Sequence, residues 1–381
     1  MADSFIPFEY RTLFLIDLGI WCWGLNVQLL NKAGIDVQVL FGFKKTDEQA
    51  HRVFYKIALV FTSITLVFLN LFWYAAKFNY KGLVVTGVCY SVLIFLTICP
   101  FNILYKKKRY SFLSSLIRVV YSPIRSEPSF GDIILADILT SFAKVIVGVF
   151  FAFCAFFASS NSNTLVSDYI HHSFELLVMG PLITSLPFIF RFRQCISEYL
   201  TSKGTGYKSL ANAGKYASAF PVIFLSASMH NPSQEDSHLF SIWLLAVIFN
   251  SLYSFYWDVV MDWDLCVTFS TSKKSRMIEL RDVLMYREPV YYISIFIDFF
   301  LRTTWSLKLS ENMKSEDLIA GGFILEAAEI LRRWLWVYFR VEKEWISAEF
   351  NKLNDNYSLQ PFSSLQPDEE LNSNPMMHEL L

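Results

Sequence analysis

Charge is what this sequence is short of. Only 18% of its 381 residues are Asp, Glu, Lys or Arg, against about 25% in a soluble domain, so a water-facing surface of ordinary composition is excluded. The 33 basic and 34 acidic residues nearly cancel to a formal net charge of −1, which leaves no global basic field for nucleic acid. The six cysteines show no CxxC or Cys/His spacing, so packing is their expected role and no metal or other cofactor is expected. No cleavable signal peptide is expected either, because Met1 to Tyr10 has no basic stretch and no small-residue cleavage site follows. Nucleotide-binding loops and nucleophile motifs are missing as well. His171-His172 has only Asp168 near it in sequence and reads as a surface loop, so no enzymatic activity is expected.

What is abundant is apolar and aromatic surface: 54% hydrophobic residues, with 37 Phe and 19 Tyr. A spanning helix needs about 20 mostly apolar residues. Such runs occur at 12–31, 54–76, 82–100, 134–158, 173–192, 214–229, 240–259, 288–307 and 317–338. They predict an all-α polytopic membrane protein of about nine transmembrane helices. The linkers alternate in Lys and Arg content: Lys106 to Arg109 and Lys273 to Arg287 lie in rich ones, whereas 159–173 has none. That asymmetry predicts a non-cytosolic N-terminus and a cytosolic C-terminus. The Ser111–Val120 run reads as an amphipathic helix on the cytosolic leaflet. Residues 1–345 form one expected transmembrane domain. The polar tail, 346–381, has Pro361, Pro367, Pro375 and an acidic stretch at Asp368, and is expected to be disordered.

Ionisable residues inside the apolar runs carry the chemistry. A charge at mid-bilayer costs about 2.5–3.5 kcal/mol even on the lenient insertion scale, so such groups face the bundle interior, pair, or mark a pathway. Asp137 lies in the fourth run, with Lys144 two turns later, and Arg191 ends the fifth. Lys215 and Tyr216 open the sixth. Asp258 and Asp262 are four apart, Asp298, Arg302 and Trp305 share a face, and Glu329 precedes Arg332 and Arg333 by about one turn. The structural reading stands beside the functional one. Asp298 with Arg302 and Glu329 with Arg333 are candidate intrahelical ion pairs. Arg191, Lys215 and Lys144 are candidates for snorkelling to an interface. Asp17, Glu175 and Glu326 read as interfacial charges. Helix anchoring does not account for the total. Guanidinium forks and a lysine point charge match a tetrahedral oxyanion. Neighbouring carboxylates offset the cations and accept a hydrogen bond from monoprotonated phosphate, which sulfate cannot offer.

The segments holding these residues resemble the EXS-domain family, the membrane part of the SPX–EXS phosphate exporters of the xenotropic and polytropic retrovirus receptor type. The matching segments are Gly24-Leu-Asn with Lys32-Ala-Gly-Ile-Asp-Val, Phe130-Gly-Asp-Ile-Ile-Leu-Ala-Asp137, Arg191-Phe-Arg-Gln-Cys and Asn212-Ala-Gly-Lys-Tyr. Three more follow in order: Trp257-Asp-Val-Val-Met-Asp-Trp263, Ile297 to Trp305, and Glu329 to Glu342. The resemblance covers the chain to about residue 345 and implies an EXS-type bundle. It implies a phosphate pathway through Asp137, Arg191, Lys215, Tyr216, Asp258, Asp262, Arg302, Trp305, Arg332 and Arg333, supported by Glu329, Asp298 and Thr140. Thr140 stands where the exporters usually have Asn. The chain starts past the exporters' SPX domain and first helix, so it looks like the short fungal ER-retention-defective branch. That likeness implies a Golgi membrane protein with a luminal N-terminus, supporting glycosylation and the retention of luminal ER proteins and glycosyltransferases. The expected partners are inorganic phosphate, the lipid bilayer and a second copy of the chain, with glycosyltransferases or retrieval adaptors on the tail. A contrasting expectation is a sorting factor that transports nothing and acts through a tail ending His-Glu-Leu-Leu.

Overall fold

The computed structural model describes residues 6–41, 49–78, 82–121, 123, 126–159, 174–203, 205–229, 237–265, 280–281, 283–303 and 315–358. Among these residues the regular structure is entirely helical. The helices are α1 (Phe8–Lys32), α2 (Val37–Leu40), α3 (Ala50–Lys77), α4 (Gly82–Ile98), α5 (Lys106–Tyr121), α6 (Phe130–Ser141) and α7 (Ala143–Ser159). They continue as α8 (Phe174–Thr201), α9 (Tyr207–Ala217), α10 (Ala219–Ser228) and α11 (Ser237–Tyr256), which runs on as a π-helical turn, Trp257–Asp262. Last come α12 (Glu288–Thr303) and α13 (Ser315–Ser358).

Local chemistry sets several ends. Gly34, at φ +83°, takes the left-handed conformation that closes α1. The Ile35 amide then donates back to the Leu30 carbonyl at 3.0 Å. Asp36 caps α2 by accepting from the Gln38 and Val39 amides. Arg109 is turned inward from the basic run that opens α5. It donates to the carbonyls of Leu96, Thr97, Cys99, Phe101, Ile103 and Leu104 at 2.6–3.1 Å, and so satisfies the end of α4 that backbone amides leave open.

By length and composition alone, α1, α3 and His238–Asp262 qualify as membrane spans, and α6 with α7 makes a fourth if the bent pair is one span. The remaining expected runs are helical but interrupted, short or charged. The run 134–158 is not one straight helix: α6 and α7 meet at Phe142 with a 66° bend. The Thr140 hydroxyl donates to the Asp137 carbonyl at 2.7 Å, a local bond of the kind that competes with helix continuation. The run 214–229 is likewise divided, at Ser218, whose hydroxyl lies 2.7 Å from the Lys215 carbonyl. Pro181 and Pro187 lie inside α8. The expected amphipathic segment at 111–120 is α5. At 44 residues, α13 is about 66 Å long and runs past residue 345 to Ser358. Trp305, Cys266, His171-His172 and the last 23 positions, 359–381, lie outside the described residues.

Two apolar cores frame the bundle. One joins α1, α6, the π turn, α12 and α13 through Val27, Leu30, Ile134, Trp263, Tyr291 and Trp336. The other joins α1, α4 and α7 through Tyr10, Leu13, Tyr90, Leu93 and Ala152. The charged side chains converge from α6, α8, α9, the π turn, α12 and α13.

Candidate functional site

Asp258 is the focus. It sits in the π turn with 1% of its surface exposed. Its Oδ2 accepts from Arg332 Nη1 at 3.1 Å and from Arg302 Nη2, while Lys215 Nζ lies 3.7 Å from Oδ1. Three cations from α13, α12 and α9 therefore converge on one carboxylate. Lys215 is shared with Asp262, whose Oδ2 is 3.6 Å away. Both distances are beyond a hydrogen bond, so the ammonium is held by charge and by the Tyr216 and Trp257 rings, 4.7 and 5.7 Å from Nζ.

Around this focus the acids and bases alternate. Arg332, 2% exposed, also donates to Asp298 Oδ1 at 3.2 Å and grips Glu329 with both arms, at 2.8 and 2.7 Å. Glu329 accepts in addition from Ser141 at 2.6 Å. Arg333 goes elsewhere. Its Nε donates to Ser141 Oγ at 2.9 Å and its Nη2 to Thr140 Oγ1 at 3.1 Å, and it stacks over Trp336. No carboxylate forms a salt bridge with it among the described residues. On the other side, Asp137 accepts from Arg191 Nε at 3.1 Å and from the Tyr216 hydroxyl. Arg191 reaches Gln194 at 3.3 Å and Glu198 at 3.6 Å as well.

Five cations (Arg191, Lys215, Arg302, Arg332, Arg333) thus face five carboxylates (Asp137, Asp258, Asp262, Asp298, Glu329). Such a set is electrically close to neutral. Several groups in it keep unused hydrogen-bonding capacity. Arg302 Nε, Asp298 Oδ2 and Trp257 Nε1 are buried without a hydrogen bond, and Lys215 has only its longer ion pairs. Buried polar atoms are normally satisfied, so these are places where an anion or water gains by arriving.

The structure brings together every site residue expected from the sequence except Trp305, which lies outside the described residues. It corrects several pairings. Glu329 pairs with Arg332, three residues on, and not with Arg333. The Asp298–Arg302 pair exists at 3.8 Å, but the guanidinium's hydrogen bond goes to Asp258. Arg191 and Lys215 do not snorkel; both are buried. Asp17 is buried as well rather than interfacial, whereas Lys144 is exposed. Sequence reasoning passed over Ser141, Gln194, Trp336 and Arg340, which touch the network directly. Arg340 had a signal: it lies seven residues beyond Arg333, on the same face. A cleft of about 200 Å³ lined by Leu29, Val290, Leu335 and Phe339, with Tyr286 and Tyr338, takes in none of the charged residues and is apolar.

Comparison with known proteins places these residues in context. The EXS family pattern matches residues 6–346. Phosphate transporter PHO1-1 of Oryza sativa subsp. japonica is 27% identical over 336 residues, covering 87% of this chain and 40% of that protein. SPX and EXS domain-containing protein 1 of Dictyostelium discoideum is 29% identical over 378 residues, with coverage of 96% and 40%. Protein ERD1 homolog 1 of Schizosaccharomyces pombe matches along most of both chains: 27% identity over 356 residues, 90% of this chain and 91% of that one. The chain spans about two fifths of the first two relatives.

Proposed function

The chain belongs to the EXS family of membrane domains, and on that premise we propose that it moves inorganic phosphate across a membrane along its buried charged residues. The observation that carries this reading is Asp258. Arg302, Arg332 and Lys215 converge on its carboxylate, and a planar, two-oxygen anion there is a stand-in for a tetrahedral one. Arriving phosphate offers more oxygens and more charge to the same three cations, and it reaches the Nε of Arg302, which has no hydrogen bond, and the ammonium of Lys215. Asp258 then turns from ligand into neighbour and accepts a P–OH hydrogen bond. The arginine forks supply geometry and the lysine an adjustable point charge. A relative named as a phosphate transporter supports the choice of ion.

In this reading the protein is a transporter without enzymatic chemistry, and the membrane is that of the Golgi, with the N-terminus luminal and the C-terminus cytosolic. Sugar transfer from nucleotide donors in the lumen leaves a nucleoside monophosphate and phosphate. Clearing phosphate would then support glycosylation and the retention of luminal ER proteins and glycosyltransferases. The similarity to a protein named an ERD1 homolog supports this assignment.

The test is flux of labelled phosphate in liposomes holding the purified protein. The wild type should move phosphate, and faster than sulfate. Arg302→Gln should abolish flux while the protein stays folded by circular dichroism. Equal flux of the two anions would remove the role given to the carboxylates, and unchanged flux in Arg302→Gln would sink the site.

A further inference from the structure

Asp262 repeats, one turn along, what Asp258 does. Its Oδ2 lies 3.6 Å from Lys215 Nζ and accepts from Trp336 Nε1 at 3.2 Å, while its Oδ1 lies 3.9 Å from Arg340 Nε. Lys215 is thus almost equidistant from two carboxylates, each backed by arginine on its far side. Arg340 lies over the Phe130 ring, 5.1 Å from its centroid, and its Nη1 donates to Glu344 at 2.8 Å. The tightness of the two places differs. At Asp258 the arginines are hydrogen-bonded to the carboxylate, whereas at Asp262 neither cation is within hydrogen-bond distance. An anion reaching Asp262 therefore has no cation–carboxylate hydrogen bond at Asp262 to break. This carboxylate is also nearer solvent: the Asp262 side chain is 14% exposed, against 2% for Asp258. Lys343 adds a third cation here, its Nζ 3.5 Å from the Met261 carbonyl.

We infer that Arg340, Lys215 and the Trp336 indole form a second, looser oxyanion station around Asp262, in series with the tight one around Asp258. The inference rests on the phosphate pathway proposed above and extends it to Arg340 and Trp336, which the expected pathway did not include. Arg340 receives the anion from the aqueous end on which Glu344 lies. Lys215 then hands it between stations by a small shift of its ammonium, without leaving either carboxylate uncompensated. Glu344 holds one arm of Arg340 and so competes with the incoming anion.

Two measurements test this, and they fail independently of one another. The first uses the wild-type protein in detergent and needs no transport. Phenylglyoxal modifies accessible arginines, and mass spectrometry reads the Arg340 peptide with and without inorganic phosphate. Modification of Arg340 that phosphate slows and chloride does not is the expected result. Modification indifferent to phosphate, or none at all, overturns the station. The second is phosphate flux in liposomes. In Arg340→Gln the half-saturating phosphate concentration should rise about tenfold, the worth of one charge-assisted hydrogen bond. The rise should be larger in one direction of flux than in the other. Arg340→Lys should restore part of it, and Glu344→Gln should lower half-saturation below wild type. Wild-type concentration dependence in Arg340→Gln, or a rise in Glu344→Gln, contradicts the inference. Absence of flux in the wild type contradicts the function, while the labelling result still decides the station.

Discussion

The α1–α3–α4–α7 side of the molecule and the α6–α8–α9–α12–α13 side are both packed helices, held by different forces. On the first, Tyr10 donates to the Phe68 carbonyl at 3.0 Å and Tyr90 to the Glu9 carbonyl at 2.8 Å, and Tyr10 meets Phe72 edge-on at 5.5 Å. Close approach there depends on small residues. A Cβ on Gly148 would stand 2.5 Å from Thr12 Oγ1, and one on Gly87 would stand 2.2 Å from Phe156. This is how helices pack in lipid, by fit and a few hydroxyl bonds. On the second side, arginines and carboxylates are packed beside an aromatic-rich core that includes Trp263, Tyr291 and Trp336. Burying an ion pair is on balance no more stabilising than packed apolar side chains of the same volume. A network of ten charges, seven of them buried, is therefore a poor device for holding helices together. It is a good one for presenting cations to an anion while no anion is present.

Substitutions should separate the two sides, with the largest effect at the centre of the charged one. Arg332→Gln removes at once a partner of Asp258, Asp298 and Glu329. We expect flux to fall by about a hundredfold or more and stability by about 3–5 kcal/mol, read by liposome uptake and denaturant unfolding. Gly148→Val on the other side should cost about 1–3 kcal/mol through overpacking against Thr12, while the half-saturating phosphate concentration of the folded fraction stays at the wild-type value. Arg302→Lys keeps the charge and loses the fork. Flux should drop about tenfold with stability within about 1 kcal/mol of wild type. Smallest of all, Tyr10→Phe should lose about 1 kcal/mol and leave transport untouched. If Gly148→Val changed half-saturation, or Arg302→Lys left flux intact, the division between packing side and anion side would be wrong.

The packing side was legible because its signal is simple: long apolar runs at 12–31 and 54–76 became α1 and α3, slightly extended at both ends. The charged residues were legible too, through the cost of placing them in a bilayer. What could not be read was how they pair. Periodicity allows Glu329 to meet either Arg332 or Arg333. The choice is made by Ser141 and Thr140, which lie 192 and 193 positions from Arg333 in sequence and draw it across to α6. The bend at Phe142 is equally hidden, since residues 140–144 contain neither Pro nor Gly; the Thr140 hydroxyl bond to the Asp137 carbonyl lies just before it. Asp258 and Asp262 were placed on one face by α-helical spacing. They do both reach Lys215, but from a π turn, a geometry that often marks functional sites and that no apolar pattern announces. Arg340 escaped notice because it follows the apparent end of the last apolar run at 338, where a charge carries no cost signal.

In the proposed transport cycle, Asp258 occupies the place that the anion takes. The direct measurement is a structure of the protein in lipid at saturating phosphate. The expected result is tetrahedral density within hydrogen-bond reach of Arg302, Arg332 and Lys215, with the Asp258 carboxylate displaced from between the two guanidinium groups. Arginines still bonded to Asp258, with phosphate bound elsewhere in the bundle, would contradict it.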